Sequence, residues 1–384
     1  MLAKRPPRAR GRAPCRFASA LGDFLHRAPR ARLVAAAVAV VGATVALDRR
    51  RHAMPSESGL LPNHRLPLPR EHISRLTYER FLRMYALPRV PCVIEGVGAD
   101  WPALGLWRRD YFLEHEGVDL DHACSVSVGE EEREMTVGDA LRSMNGAGPP
   151  VYLSGWDYVR GNSRALAADF DVPGLFERTP TWLARHAIFG NAEHDMRWLY
   201  IGEAGTGSPT HVDTNLSSAW LWVACGEKVR RTTFSANSPA PRDQKWMCVP
   251  RGQEWVCAHG DDHDLVVGDS SGGTSDVQAD SGYAAAALPD LFAPDVGRHP
   301  RLREARLYRG TQRAGEVVFN PSRCVHAVRS PATSLLISPR SPRPRLPTWQ
   351  ARNVTFTASL THNFVDVTNL ADAVADATRS ERAA

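Results

Sequence analysis

The chain has 384 residues, 43% hydrophobic and 23% charged, a composition that indicates a globular protein and argues against a disordered chain. Seven cysteines are scattered without a Cys-x-x-Cys pair, which argues against a disulfide framework and a structural zinc site. The net charge of +5 is uneven, because residues 1–52 contain Lys4 and eleven arginines against two aspartates, a net charge of +10, and the rest of the chain therefore carries −5.

The basic leader, residues 1–52, contains one apolar segment. Leu33–Leu47 is fifteen uncharged residues between arginine clusters, whereas a spanning helix needs roughly 17 to 20. Three interpretations stay open: a single-pass membrane anchor at 33–47, an arginine-rich organelle-targeting leader, or the basic tail of a nuclear or cytoplasmic protein. Any contact with a membrane surface or with nucleic acid is expected of this arm and not of the folded body.

The region from residue 53 to 195 is predicted to be mixed and partly helical. Helix-like segments occur at 77–85, 107–115, 137–144 and 180–187, and Arg89–Gly96 is typical of a short buried strand that ends in a glycine turn. From Trp198 onwards, the runs WLYIG, SAWLWVAC and VRRTTF are rich in β-branched and aromatic residues. We therefore predict a sheet-dominated unit over 196–370, followed by a C-terminal tail at 371–384.

Two insertions are predicted inside the sheet-dominated unit. Residues 235 to about 300 contain the low-complexity run GDSSGGTSDVQADSG, which is typical of a mobile surface loop. Residues 338 to about 350 contain SPRSPRPRLP, whose prolines do not suit a central strand. Neither insertion is expected to carry chemistry.

Two His-x-Asp triplets occur, His211 to Asp213 and His259 to Asp261, where composition alone predicts about 1.5 His-x-acid triplets. The motif by itself therefore says little. His211 and Asp213 lie in a strand-forming region, where residues two apart point to the same face, so they can converge on one ion. His259 lies in an acidic stretch of the first insertion, and we predict that it is solvated surface.

A third ligand is available on a later strand. GEVVFNP, residues 315–321, is typical of a turn, a short strand and a proline, and His326 follows in CVHAV. Two histidines and one carboxylate on one face of an octahedron leave three positions open, the arrangement of non-haem Fe(II) oxygenases. Taken alone, His326 is better explained as a half-buried structural histidine, and its interpretation as a metal ligand gains weight only together with His211 and Asp213.

Lys228 follows the strand Ala219–Cys225 after a Gly-Glu turn, which places it where it can point into the same interior. A buried lysine needs a carboxylate partner, and a dicarboxylate cosubstrate would supply one. The alternative is a surface lysine whose aliphatic stem packs along the protein.

These segments resemble a known family. GSPTHVDTNLSSAWLWVACGEKVRR, GEVVFNPSRCVHAV and TASLTHNF, with VYLSGWD and PTW upstream, are similar to the Jumonji-C (JmjC), cupin-like 2-oxoglutarate oxygenases, most closely the branch of the bifunctional arginine demethylase and lysyl-hydroxylase. The similarity runs from about residue 76 to about residue 370. It implies a mainly β fold, α+β overall: a double-stranded β-helix, or cupin-like jelly roll of eight antiparallel strands, with an N-terminal helical buttress.

The resemblance implies an Fe(II)- and 2-oxoglutarate-dependent oxygenase that consumes O₂, with ascorbate as a candidate reductant. The implied iron ligands are His211, Asp213 and His326. The implied partner is a protein or peptide with a lysine or a methylated arginine, and we favour hydroxylation over demethylation because spacing alone assembles no aromatic cage for a methylated cation. The alternative is a catalytically inactive cupin-fold protein that binds a metal or a carboxylate, including a membrane-tethered one. A homodimer stays open.

For the cosubstrate, the resemblance implies that Lys228 and Thr361 hold the distal carboxylate of 2-oxoglutarate, with Tyr152 as a further contact. The chain departs from the family at two places. Leu221 stands where the family has an asparagine, so a polar contact near the cosubstrate is missing. Thirty-four residues separate His326 from Thr361, more than the family has; if the SPRSPRPRLP stretch displaces the last strand, Thr361 loses its role. Both departures favour the inactive alternative.

Overall fold

The computed structural model describes residues 65–144, 146, 148–176, 196–225, 252–268, 288–330 and 356–383, and the backbone of four short segments at 228–231, 245–248, 278–279 and 282–283. The basic leader, the predicted helix at 180–187 and the SPRSPRPRLP stretch lie outside the described residues. Within the described ranges, no helix has the length and apolar character needed to cross a membrane.

The described part of the chain is dominated by strands. The strands are β1 (Arg65–Pro67), β2 (Arg70–His72), β3 (Cys92–Glu95), β4 (Ala123–Val128), β5 (Glu131–Thr136), β6 (Val151–Trp156), β7 (Arg197–Gly202), β8 (Gly207–His211), β9 (Ser218–Cys225), β10 (Lys228–Arg231), β11 (Lys245–Cys248), β12 (Gln253–Ala258), β13 (Gln278–Ala279), β14 (Gly282–Tyr283), β15 (Leu307–Gln312), β16 (Val317–Asn320), β17 (His326–Arg329) and β18 (Thr357–Phe364). The α-helices are α1 (Tyr78–Phe81), α2 (Pro102–Leu106), α3 (Arg109–Glu114), α4 (Val137–Ser143), α5 (His263–Val267) and α6 (Leu370–Ala383). The helices predicted near 77–85, 107–115 and 137–144 and the strand predicted at 89–96 are confirmed by α1, α3, α4 and β3.

Two sheets form the jelly roll. The five-stranded sheet has the order β1-β15-β12-β17-β8, and the nine-stranded sheet has the order β2-β3-β16-β9-β18-β7-β6-β4-β5. Four consecutive strands of the first (β15, β12, β17 and β8) and four of the second (β16, β9, β18 and β7) pair antiparallel throughout. These eight strands are the double-stranded β-helix that the sequence predicts.

Residues along each strand face the two sides of a sheet alternately, so apolar side chains form separate clusters between the sheets and outside them. Between the sheets, apolar residues of both meet, such as Leu221 and Val318 from one and Trp255 and Val328 from the other. The opposite face of β9 presents Trp220, Trp222 and Ala224 to the segments that precede the barrel. This arrangement follows from the period-two geometry of strands, and it confirms the N-terminal buttress, in which short helices α1–α4 cover the outer face of the larger sheet.

The predicted first insertion is too wide. β12 lies within it and is the middle strand of the five-stranded sheet, paired on one side with β15 and on the other with β17. The prediction of a surface loop over 235 to about 300 is therefore wrong for residues 252–268, which are mostly buried. The local sequence QEWVCA indicates a buried strand, because its tryptophan, valine and cysteine are typical of one.

The last strand of the barrel is in place despite the long connection that precedes it. β18 pairs with β9 from Thr357 to Phe364 and with β7 from Thr357 to His362, without a shift in register. Thr361 therefore occupies a regular position in the centre of the larger sheet. The last strand is therefore not displaced by the proline-rich stretch that precedes it.

Candidate metal centre

The three predicted metal ligands converge at one end of the barrel. His211 ends β8 and His326 begins β17, and the two are direct antiparallel partners whose ring centroids lie 4.2 Å apart. Asp213 follows two residues after His211 and precedes a short turn, Thr214–Leu216. One ligand atom from each residue lies within 4.8 Å of the others. Among the described residues, this is the group that can share one ion.

Strand pairing is irregular beside the two histidines. The register of β8 and β17 shifts between His326 and Val328, as at a β-bulge, a feature that often re-aims side chains near active sites. The strands come very close at Gly207, where an added Cβ would lie 2.1 Å from the backbone oxygen of Val328. Only glycine fits there without moving β8 away from β17.

We expect Gly207→Ala to lower the affinity for a divalent metal roughly tenfold or more, the size of effect seen when groups supporting metal ligands are lost. The new methyl group would force β8 from the strand that carries His326. Titration with Co(II), followed by absorption, measures the change. Gly105→Ala is the matched control, because an added Cβ there meets nothing within 4 Å. Equal affinities for the two variants would contradict this account.

Both imidazoles are oriented by backbone carbonyls. Nδ1 of His211 donates to the oxygen of Pro209 at 2.8 Å, and Nδ1 of His326 donates to the oxygen of Cys324 at 3.0 Å. Each ring therefore keeps the lone pair of Nε2 for an ion, the tautomer that metal-binding histidines usually adopt. Desolvation and the nearby His326 lower the pKa of His211 to about 3, so its ring is neutral at physiological pH.

The carboxylate of Asp213 is held by a neighbour that sequence reasoning missed. Desolvation raises its pKa, whereas His326 and a hydrogen bond from Asn363 lower it. Nδ2 of Asn363 also donates to Oγ of Ser217 at 3.0 Å, which fixes the amide. Asn363 lies two residues after Thr361 on β18 and therefore points to the same face. This spacing of two polar residues in a buried strand is the sequence signal that would have identified Asn363. The set of two imidazoles and one oriented carboxylate suits Fe(II).

The turns that flank the ligands are tied together by one buried serine. Ser322 donates its hydroxyl to the oxygen of Leu216 at 2.6 Å, and its backbone N–H donates to Oγ of Ser218 at 3.0 Å. Leu216 and Asn215 both have positive φ, 50° and 54°, a costly conformation for residues other than glycine. These hydrogen bonds therefore hold the strained turn after Asp213 against the turn that precedes His326.

Comparison with known proteins agrees with this geometry, because a sequence model described as a cupin-like domain matches residues 78–341. The chain belongs to the cupin-like domain family. Its double-stranded β-helix and the three residues at the barrel end are consistent with that membership.

Relatives of this cupin-like chain include several JmjC proteins. The chain is 31% identical over 164 residues to the arginine-specific demethylase JMJ22 of Arabidopsis thaliana, 42% of this chain and 30% of that protein. It is 27% identical over 180 residues to the bifunctional arginine demethylase and lysyl-hydroxylase psr-1 of Caenorhabditis elegans, 45% of this chain and 43% of that protein. It is 26% identical over 325 residues to the 2-oxoglutarate and iron-dependent oxygenase JMJD4 of Homo sapiens, 77% of this chain and 61% of that protein. The predicted resemblance to JmjC oxygenases is confirmed; the chain spans less than half the length of the first two.

Within the cupin-like barrel, Tyr152 lies close to the strand that carries His211. Its hydroxyl hydrogen-bonds with Oγ of Ser208 at 2.9 Å, and its ring stacks on Tyr200 with centroids 6.2 Å apart. Burial raises the pKa of Tyr152 to about 12, so its hydroxyl stays protonated. The pKa of Tyr200 is raised by burial, by Tyr152 and by Asp213. Tyr200, which sequence reasoning missed, therefore lies near the metal ligands.

Thr361 and Lys228 are placed very differently. Thr361 is 6% exposed and lies opposite Leu221 across β18 and β9, and its hydroxyl has no hydrogen-bond partner among the described residues. Lys228 begins β10, which pairs with β11 in a two-stranded hairpin outside both main sheets. The side chain of Lys228 lies outside the described residues, so its binding of a cosubstrate stays a prediction.

His259 is not the solvated surface residue that the sequence predicts. It is 4% exposed, and its Nδ1 accepts a hydrogen bond from the N–H of Asp261 at 3.1 Å. Arg89 from the turn before β3 lies over this segment and pairs with Asp261 at 2.9 Å. His259 is therefore a buried cap of the turn that follows β12, whereas Asp261 lies at the exposed end of that turn.

We expect His259 to make the protein less stable in acid. Burial and the charges of Arg306 and Arg89 lower its pKa to about 4, although Asp261 and Asp262 oppose them. Because the unfolded chain binds this proton from about pH 6.5 downwards and the folded chain resists it, stability falls as the pH drops from about 6.5 to about 4. Urea unfolding of His259→Gln should show a flatter decline in that window. An unchanged slope would refute the assignment.

Proposed function

We propose that the chain is an Fe(II)- and 2-oxoglutarate-dependent oxygenase that hydroxylates a side chain of a protein. The observation that carries this proposal is the convergence of His211, Asp213 and His326 within 4.8 Å at one end of a cupin-like barrel. When bound there, Fe(II) would supply the oxygen chemistry. The names of the relatives JMJ22, psr-1 and JMJD4 agree with this activity.

The residues of the chain would perform the positioning. Backbone carbonyls orient the two imidazoles, and Asn363 orients the carboxylate of Asp213. His211, Asp213 and His326 would hold the ion and would leave the rest of its coordination to the 2-oxo acid and O₂. The hydroxyl of Thr361, which has no partner in the part of the chain that the structure describes, lies inside the barrel, where it would donate to the cosubstrate. The protein thus supplies geometry and exclusion of water, and the reaction would release succinate and CO₂.

The proposed substrate is a lysine or a methylated arginine of a protein. A cavity of about 370 Å³ borders β8 and β17, the strands that carry both histidines, and it is lined by Ser208, Phe292 and Arg329 among others. Such a groove would accommodate part of a polypeptide along these two strands. Hydroxylation of a lysine methylene leaves a stable product, whereas hydroxylation of an N-methyl group releases formaldehyde. We propose the former as the main activity.

A peptide-modification assay tests the proposal. The protein is incubated with Fe(II), 2-oxoglutarate, ascorbate and a library of lysine and methylarginine peptides, and succinate, formaldehyde and peptide mass are measured. We expect succinate release with the gain of one oxygen atom by lysine peptides. Formaldehyde from methylarginine peptides would show demethylation instead. Absence of succinate in all reactions would overturn the oxygenase proposal.

A second candidate is a cupin-like protein that binds a metal or a carboxylate without turnover. It is favoured by the apolar Leu221 opposite Thr361 and by the position of Lys228 on a hairpin outside both sheets. This candidate predicts one bound metal ion per chain and no succinate. The peptide-modification assay, combined with metal analysis of the same sample, separates the two.

A further inference from the structure

We propose that Asn369, which directly precedes the C-terminal helix α6, positions the carboxylate of Asp213 for the metal ion. This inference rests on the proposed function and adds a positioning residue to its metal centre. Asn369 is 1% exposed, although it lies far from Asp213 along the chain. It acts on the segment that joins Asp213 to β9.

The turn that follows Asp213 needs support from outside. Asn215 and Leu216 both have positive φ, a costly conformation for residues other than glycine, which persists only when the surroundings enforce it. The backbone N–H of Leu216 donates to the oxygen of Asp213 at 3.0 Å. The turn and its first residue therefore move together, and a relaxed turn would carry the carboxylate of Asp213 away from the two histidines.

Hydrogen bonds from three distant segments hold the end of this turn, at Leu216, Ser217 and Ser218. The first two bonds come from the turn before β17 and from β18. The third comes from Asn369, whose Nδ2 donates to Oγ of Ser218 at 2.9 Å. The same oxygen accepts the backbone N–H of Ser322 at 3.0 Å. Asn369 therefore meets both turns that flank the metal ligands at one hydroxyl.

The amide of Asn369 is fixed in orientation by the backbone around it. Its Nδ2 also donates to the oxygen of Phe364 at 3.1 Å, and its Oδ1 accepts from the N–H of Asp366 at 2.7 Å. A rotated amide would set its own N–H groups against the N–H of Asp366. The side chain therefore presents a donor to Ser218 in one orientation.

The helix behind Asn369 is itself held in place. Asp372, in the first turn of α6, forms an ion pair with Arg89, a buried residue that also pairs with Asp261 at 2.9 Å. The helix packs against the turn Thr214–Leu216. The start of α6 is thus a rigid base from which Asn369 bears on the metal centre.

Loss of the Asn369 amide should therefore act on metal binding as well as on stability. Groups that support metal ligands typically change metal affinity roughly 10- to 100-fold. Asn369 reaches Asp213 through the turn and not by direct contact, so we expect the lower end of that range. A buried hydrogen bond of purely structural value would change stability and leave the metal affinity of the folded protein as it is.

Metal binding by the full chain tests this inference. The Co(II) affinities of the wild type, Asn369→Ala and Ser163→Ala are measured by calorimetry, and circular dichroism checks that each protein is folded. We expect Asn369→Ala to weaken Co(II) binding roughly tenfold. Ser163→Ala is the matched control and should keep wild-type affinity. Ser163 is also buried, but it bonds the N–H of Asp119 at 2.9 Å and the oxygen of Gly161 at 3.0 Å, in the segments that precede the barrel.

Ser218→Ala breaks the same hydrogen bond from the other side, so the test does not depend on the folding of the Asn369 variant. We expect it to weaken Co(II) binding at least as much as Asn369→Ala does, because it also frees the turn before β17. The double variant should bind Co(II) as Ser218→Ala does, since one bond is removed twice.

Three results would overturn the inference: wild-type affinity in Asn369→Ala or in Ser218→Ala, an equal loss in Ser163→Ala, or fully additive losses in the double variant. A wild-type protein that binds no Co(II) would instead refute the metal centre of the proposed function, and the inference with it.

Discussion

Asp213→Ala is expected to reduce the 2-oxoglutarate-dependent release of succinate by more than about 100-fold, because loss of a direct ligand should exceed the 10- to 100-fold effect of losing a group that merely supports one. Asp213 supplies the single carboxylate of the triad, and without it two imidazoles remain to hold a dication. The charge balance and one of the three bonds are lost together. Succinate release at saturating Fe(II) measures the effect.

A carboxylate elsewhere provides the control for this substitution. Asp264 is exposed and pairs with Arg323 at 2.9 Å on the protein surface, so Asp264→Ala should keep wild-type turnover. Circular dichroism of both variants checks that the fold is intact. If Asp213→Ala released succinate at a rate close to that of Asp264→Ala, the triad would not be the catalytic metal site.

Trp222→Ala is expected to lower the free energy of unfolding by about 3–5 kcal/mol, the range for large aromatic side chains removed from a core. Trp222 is fully buried on the outer face of β9, where its ring lies 5.0 Å from that of Trp101 and 6.0 Å from that of Trp107. Its indole N–H donates to the oxygen of Val97 at 3.2 Å. The substitution leaves a cavity and an unpaired carbonyl between the barrel and its N-terminal cover.

Urea denaturation followed by circular dichroism measures this loss of stability. Leu106→Ala is the comparison, because Leu106 is 42% exposed and an exposed substitution usually changes stability by less than about 0.5 kcal/mol. Trp222→Phe should fall between the two, since it keeps most of the ring contacts but not the hydrogen bond. A loss below about 1 kcal/mol for Trp222→Ala would mean that the helical cover contributes little to the barrel.

The grouping of the three candidate metal ligands could be predicted because their signals are local and periodic. His211 and Asp213 are two apart in a strand-forming segment, and His326 follows a glycine turn and a strand of its own. The apolar run SAWLWVAC, rich in aromatic and β-branched residues, likewise predicts a strand. What the local pattern does not contain is the register, which makes His211 and His326 direct partners across β8 and β17.

The surroundings of the site depend on contacts between distant segments, and these were not predictable from local patterns. Asn363 reaches Asp213 because β18 runs beside the site, more than a hundred residues later. His259 is buried because Arg89, from the turn before β3, lies over it. The strand β12 was missed through a boundary error, since the low-complexity run near residue 270 was extended over a neighbouring core strand.

The central claim is that two imidazoles from paired strands and one carboxylate share a single ion. Titration of the full-length protein with Co(II), followed by visible absorption, tests it most directly. The account predicts saturation at one ion per chain, with a spectrum that changes on addition of 2-oxoglutarate and with binding lost in His211→Ala and in His326→Ala alike. Undiminished Co(II) binding by either histidine variant would contradict it.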